Sequence, residues 1–184
     1  FDGSISRESA RGTVRKLQAN ADRAIILRIR RTGGDARAAM DIGDAILRHG
    51  RVSLIVASYC HSACAQYIMP SAKRIEIRPN ASIIFHNSPA ARVLPADAPA
   101  VDVAELVSFA KRERRFYAAR KIDYDRLRTI QAFVFPVCTF RVDSRSLAGL
   151  DAYGTVNRFG GVVPSRRLVE EIGYTISDGY WPTD

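Results

Sequence analysis

VSLIVASYCHSACAQYIMP, Val52 to Pro70, combines a hydrophobic strand pattern, a sharp polar turn and an Ala-rich helical start, with Ser62 at its centre. A serine placed where a buried strand turns into a helix is held at the top of a sheet. Its hydroxyl is exposed there, close to the first helical amides, which is the geometry of a nucleophile elbow. The same letters also spell an ordinary serine N-cap on a small-residue helix start. The residues on either side decide between the two.

Upstream, Ala24 to Ile29 (AIILRI) reads as a buried strand that ends in Arg30-Arg31-Thr32-Gly33-Gly34-Asp35. Adjacent glycines let the backbone take dihedrals closed to other residues and turn its N–H groups outward, and Asp35 is a good N-cap for the helix that follows. A strand, a Gly-Gly turn and a helix N-terminus form an anion- or oxyanion-binding corner, although most Gly-Gly pairs taken alone are simply turns. The helix from Asp35 to His49 stops at Gly50. Before it, FDGSI (1–5) alternates like a short strand, and Ser6 caps a helix to about Asn20 with Ala10, Val14, Leu17 and Ala21 on one face.

Downstream, the strand over Val52 to Ser58 leads through the elbow into a helix from Ser62 toward Ser71. Lys73 to Arg78 alternates like a half-exposed strand, Pro79-Asn80 turns, and Ala81 to Phe85 is an apolar strand that delivers His86 at its end. The order βαβαβαββ predicts an α/β fold with a mostly parallel sheet and functional groups at the strand ends. Residues 87–101 carry three prolines and read as a loop or lid. Asp102 to Lys121 is the strongest helix pattern, with Val103, Leu106, Val107, Ala110 and Tyr117 on one face. Further helices are expected over 123–133, after an Asp143 or Ser144 cap to Gly154, and from Pro164 to Ile172. With no internal repeat, residues 1–184 read as one domain: a motif-bearing core over 1–89 and a helical extension over 102–135.

The 184 residues are 47% hydrophobic and 26% charged, ordinary for a soluble globular chain, and no apolar run is long enough to cross a bilayer. The start at Phe1 reads as a processed form or fragment, with a signal sequence or membrane anchor upstream as an expectation. The net charge of +9 favours acidic partners in general. No nucleic-acid motif accompanies it, so no specific nucleic acid is expected, and the scattered arginines read as solvated surface charge. The three cysteines are Cys60, Cys64 and Cys138. Cys60 and Cys64 are spaced for a disulfide across the turn, either of them is a partner for Cys138, and plain buried thiols are the alternative. Zinc would need four ligands gathered around the very serine that looks reactive, so no metal is expected.

Gly33-Gly34, Ser62 and His86 therefore each sit at the end of a different strand. A serine nucleophile needs a neutral imidazole within hydrogen-bond reach and oxyanion donors fixed opposite, and His86 is the only histidine C-terminal to Ser62. Such chemistry needs no cofactor. His49, in the last turn before Gly50, meets a helix C-terminus favourably, and His61 reads as space-filling, with a hydrogen bond to the substrate as the alternative.

These residues resemble the ClpP/crotonase superfamily, and within it the proteolytic subunit of the Clp protease and its periplasmic relatives. The resemblance is carried by FDGSI, ILRIRRTGGDARAAMDIGDAI, VSLIVASYCHSACAQYIMPSAKRIEIRPNASIIFHNSP and, more weakly, LAGLDAYGTV. It implies the ββα spiral of that superfamily, with Ser62 as nucleophile, His86 as general base, and Gly33 or Gly34 with Ala63 as oxyanion donors. The family's acid precedes a Tyr-Gly pair by about a dozen residues, which points to Asp143, with Asp97 and Asp102 as rivals and a Ser-His dyad without an acid as a further alternative. Where the family commonly has Ser-Pro before the glycines this chain has Arg31-Thr32. Cys64 stands where the family has a glycine, and His61 replaces a small residue.

The resemblance implies a serine peptidase acting on a peptide or protein substrate. A catalytically idle relative that binds a peptide or partner in the same groove is the alternative, and crotonase-type acyl-CoA chemistry is disfavoured by the Ser-His pair. Relatives form homo-oligomers through the helix after the histidine strand, which makes Asp102 to Lys121 the expected contact. The cysteines beside the elbow favour a periplasmic or secreted location, with the cytoplasm as the alternative.

Overall fold

The structure, a computed structural model, describes residues 3–91, 94–128, 154–156 and 162–179. Short-range signals set its first elements. Ser6 caps α1 (Arg7–Gln18) in a reciprocal capping box with Ser9, and the helix buries Ala10, Thr13 and Leu17. After β1 (Ile25–Arg31), the Asp35 carboxylate accepts the Ala38 N–H at 2.9 Å and starts α2 (Ala36–His49). Gly50, left-handed at φ 70°, ends it.

The long central strand is β2 (Val52–His61), and two short strands lie end to end along one of its edges. The first, β3 (Arg74–Ile77), pairs with Ser53–Val56; the second, β4 (Ser82–Ile84), pairs with Tyr59–His61. Then come α3 (Ala100–Ala118), a helical stretch over 124–128, β5 (Gly154–Val156), β6 (Val162–Pro164), α4 (Arg166–Glu171) and β7 (Ile176–Gly179). The five-stranded sheet runs β1-β2-β3-β7 with β4 beside β2, and all its pairings are parallel. Only β5 and β6 form a separate antiparallel pair among the described residues. The fold is α/β with a mostly parallel sheet, as the alternating pattern predicts.

Ile29, Leu54, Val56, Ile75 and Ile77 of the sheet join Ala39, Ile42 and Ile46 of α2 in one buried core. Gly43 lets α2 sit against the segment after the elbow, since a β-carbon there would stand 2.4 Å from the Tyr67 carbonyl oxygen. The Arg120 guanidinium seals the far side. It donates to Ser71 Oγ at 2.7 Å and to Asp44 Oδ1 at 3.0 Å while lying over the Phe116 ring. Burial lowers its pKa, an effect that Asp44 opposes.

Several expectations need correction. Of the strand expected over FDGSI, the described residues 3–5 form only one bridge: the chain turns at Gly3 (φ 82°), and Ile5 bridges, in parallel, to Gly34. Both β1 and β2 run further than their apolar letters do, to Arg31 and His61, because neighbouring strands extend their ladders. Pro164 closes β6, and Ser165 caps the last helix. The buried face of α3 is Phe109, Glu113, Phe116 and Tyr117, whereas Val103 and Val107 are exposed. Only the C-terminal half of that helix lies on the core, so the apolar stripe of its first half points outward. No helix of the described residues is long and apolar enough to cross a membrane.

Candidate active site

The segment after Ser62 is not the expected α-helix but a π-helical turn, Cys64–Ile68, followed by a 3₁₀ turn, Met69–Ser71. The Met69 N–H donates to the Cys64 carbonyl, five residues back, so the first turn is widened by one residue; such bulges recur at functional sites. Cys60, the penultimate residue of β2, and Cys64, the first of the turn, are joined by a disulfide with their Cα atoms 5.2 Å apart. His61, Ser62 and Ala63 are thus the three residues of a covalently closed loop. Cys138, the other partner considered, lies outside the described residues.

Within that loop Ser62 takes φ 55°, a left-handed conformation that costs a non-glycine residue on the order of 1–3 kcal/mol and is retained where surroundings over-determine it. Three constraints do so here. The disulfide closes the loop, the Ser62 N–H donates to the Ile84 carbonyl at 2.8 Å, and Gly33 presses against the side chain. Gly33 is itself at φ 99° and Gly34 at φ 131°. The Gly33 carbonyl accepts the Ile5 N–H, which fixes the glycine corner to the start of the chain.

Ser62, Ala63, Gly34 and His86 line one cavity of about 190 Å³, with Gln66, Tyr67 and Ser88 also in its wall. Gly33 is not in the lining; it supports Ser62 from behind. The structure therefore brings together five of the six residues proposed from sequence for catalysis and oxyanion binding: four line the cavity, and Gly33 buttresses it. The sixth, Asp143, lies outside the described residues. His86 is exposed, and its Nδ1 faces the Asn87 carbonyl oxygen at 2.9 Å, so the proton sits on Nδ1 and Nε2 is left to accept. Among the described residues no hydrogen bond joins Ser62 to His86, and no carboxylate bonds to His86.

Sequence reasoning missed the shell that holds this cavity. Buried Gln66, one turn after Ser62, donates from its side-chain amide to the His86 carbonyl oxygen. Behind it, fully buried Glu113 of α3 accepts from Tyr67 Oη at 2.6 Å, Ser88 Oγ at 2.6 Å and Tyr124 Oη at 2.9 Å. Burial, and then the Glu113 charge, raise Tyr67 well above the usual phenol range and push Tyr124 up to about 12. A polar Gln in an Ala-rich turn was the available signal for Gln66; Glu113 sits in the charged run Lys111 to Arg115, which hides it.

The other histidines have structural partners. His49 Nε2 donates to the Asn20 carbonyl at 2.9 Å, tying α2 to the end of α1. His61 Nε2 bonds Ser82 Oγ of β4 at 2.6 Å, and burial lowers its pKa. Among the described residues no three His, Cys, Asp or Glu side chains gather as a metal site requires. No protein-family model matches the chain, and no curated protein matches it significantly.

Proposed function

We propose that this chain is a serine hydrolase of the ClpP/crotonase type that cleaves peptides through an acyl-enzyme at Ser62. The observation that carries the reading is the left-handed Ser62, buttressed by Gly33 and facing the same cavity as His86. Ser62 Oγ attacks the scissile carbonyl while His86 Nε2 takes its proton and then delivers it to the departing amine. Water, deprotonated by the same nitrogen, releases the acid. The Ser62 N–H is already committed to Ile84, so the oxyanion falls to the N–H groups of Gly34 and Ala63. Asp143 is the proposed acid beyond His86. The Cys60–Cys64 disulfide favours a periplasmic or secreted site of action, and exposed Val101, Val103 and Val107 on α3 are the proposed contact between copies.

The test is labelling by a fluorophosphonate probe and turnover of a peptide library. Wild type reacts and Ser62→Ala does not; labelling that survives in Ser62→Ala overturns the assignment. A second reading, a peptide-binding relative without catalysis, draws on the missing Ser62–His86 hydrogen bond. It is supported if wild type is unreactive while peptide binding persists.

A further inference from the structure

A second concavity lies between α1, α2 and α3, away from Ser62, and encloses about 610 Å³. Six arginines line it, against two aspartates: Arg7, Arg11 and Arg15 from α1, Arg37 and Arg48 from α2, and Arg112 from α3. The first three follow one another at i, i+4 and i+8, so they form a ladder along one helix face with a rise of about 6 Å per step. Asp41 and Asp44 do not neutralise them. Arg112 takes Asp41 at 2.6 Å, and Asp44 is held by buried Arg120 at 3.0 Å. Arg7 leans on Asp35 at 3.7 Å, and Arg37 lies over the Phe109 ring. Arg11, Arg15 and Arg48 have no ion pair among the described residues, and all three are exposed.

We infer that this groove is a docking site for an extended acidic segment of a protein, with carboxylates on alternate residues. In an extended chain residues i and i+2 point the same way and stand about 6.6–6.8 Å apart, which matches the arginine ladder within the reach of a flexible side chain. Guanidinium forks take carboxylates in two-point hydrogen bonds. The floor beneath, Ala10, Val14 and Ala38, is small and apolar and suits the intervening side chains. The concave shape and the apolar floor favour a single extended chain over a flat bilayer or a nucleic-acid duplex.

The groove also leads somewhere. Arg7 and Arg37 line an adjoining cleft with Ala36 and Pro89, and Ala36 and Pro89 in turn line the Ser62 cavity. The three concavities therefore adjoin through shared residues, and the middle one also carries Asp35, Asp102 and Glu105. On the hydrolase reading, on which this last step alone rests, the groove selects substrates whose acidic stretch is set apart from the cleaved bond by the length of that middle cleft.

The experiment measures fluorescence anisotropy of a labelled peptide with Asp at alternate positions, titrated with the full chain carrying Ser62→Ala. A matched peptide with Lys in place of Asp is the control. Binding is expected for the Asp peptide alone, weakening as salt rises, and Arg11→Glu/Arg15→Glu/Arg48→Glu should reduce it at least tenfold with an unchanged circular dichroism spectrum. Equal binding by the triple variant overturns the proposal. So does tighter capture of inorganic polyphosphate, a single-stranded oligonucleotide or phosphatidylglycerol vesicles than of the Asp peptide. The triple substitution in the Ser62 background should leave fluorophosphonate labelling intact. If wild type never labels but the Asp peptide still binds through the arginines, the hydrolase reading falls and the docking groove stands.

Discussion

A β-carbon built on Gly33 would stand 2.6 Å from Ser62 Cβ and 3.0 Å from its Oγ, so the glycine corner after β1 and the elbow after β2 fit together only because Gly33 has no side chain. Gly33→Ala should therefore do two things. It forces an alanine into φ 99° and drives the Ser62 side chain from its position, at a cost of roughly 1–3 kcal/mol for the backbone alone. Urea denaturation should show that loss, and fluorophosphonate labelling of Ser62 should fall at least tenfold. A variant that labels at the wild-type rate would show that Gly33 does not set the serine.

The disulfide makes a separate claim on the same serine. The loop that Cys60 and Cys64 close is very short, and the chain-entropy treatment gives a stabilisation of about 2 kcal/mol. Cys60→Ser/Cys64→Ser should be less stable by about that amount and should label more slowly, because Ser62 is then freer to leave its left-handed conformation. Adding dithiothreitol to wild type should reproduce the slower labelling, and the double variant should be indifferent to it. Labelling that ignores both treatments would assign the disulfide to stability alone.

The elements that local chemistry decides were legible in advance. Ser6, Asp35 and Gly50 bound helices through contacts within a turn of themselves, and β1, α2, β2, β3 and β4 followed from apolar periodicity. What depends on remote partners was not. Tyr59, Cys60 and His61 read as part of the turn that follows Ser58, and they belong to β2 because β4 pairs with them. Val103 and Val107 continue a helical stripe beyond the part of α3 that meets the core. Ser62 and His86 were readable because each ends a strand, whereas Glu113 could not be found. Its burial is set by Tyr67, Ser88 and Tyr124, which no spacing rule connects to it.

Glu113 is a carboxylate with three hydroxyl donors and complete burial, so removing it strands Tyr67 and Ser88 in the cavity wall. Each buried hydroxyl left without an acceptor costs about 1–3 kcal/mol. Glu113→Ala should lose roughly 3 kcal/mol or more of stability on that basis, and Glu113→Gln, which keeps one acceptor oxygen, markedly less. Tyr124, pushed up to about 12 by burial and then by the Glu113 charge, supplies an independent readout. In Glu113→Gln its alkaline spectrophotometric titration should move to lower pH, and an unmoved titration would contradict the electrostatic link.

His61 gives the fold an acid sensitivity whose sign is fixed by burial. Desolvation lowers its folded pKa below the unfolded value of about 6.5, so between the two values the unfolded chain holds more protons. Stability from this group is fully present above about pH 6.5 and is lost as pH falls through the lowered folded value. Protonation costs the neutral ring its buried setting between β2 and β4, where Nε2 meets Ser82 Oγ at 2.6 Å. In His61→Gln, which keeps a hydrogen-bonding side chain but cannot titrate, the melting temperature should fall less steeply between pH 7 and pH 5 than in wild type. Parallel profiles for the two proteins would mean that His61 does not charge on unfolding.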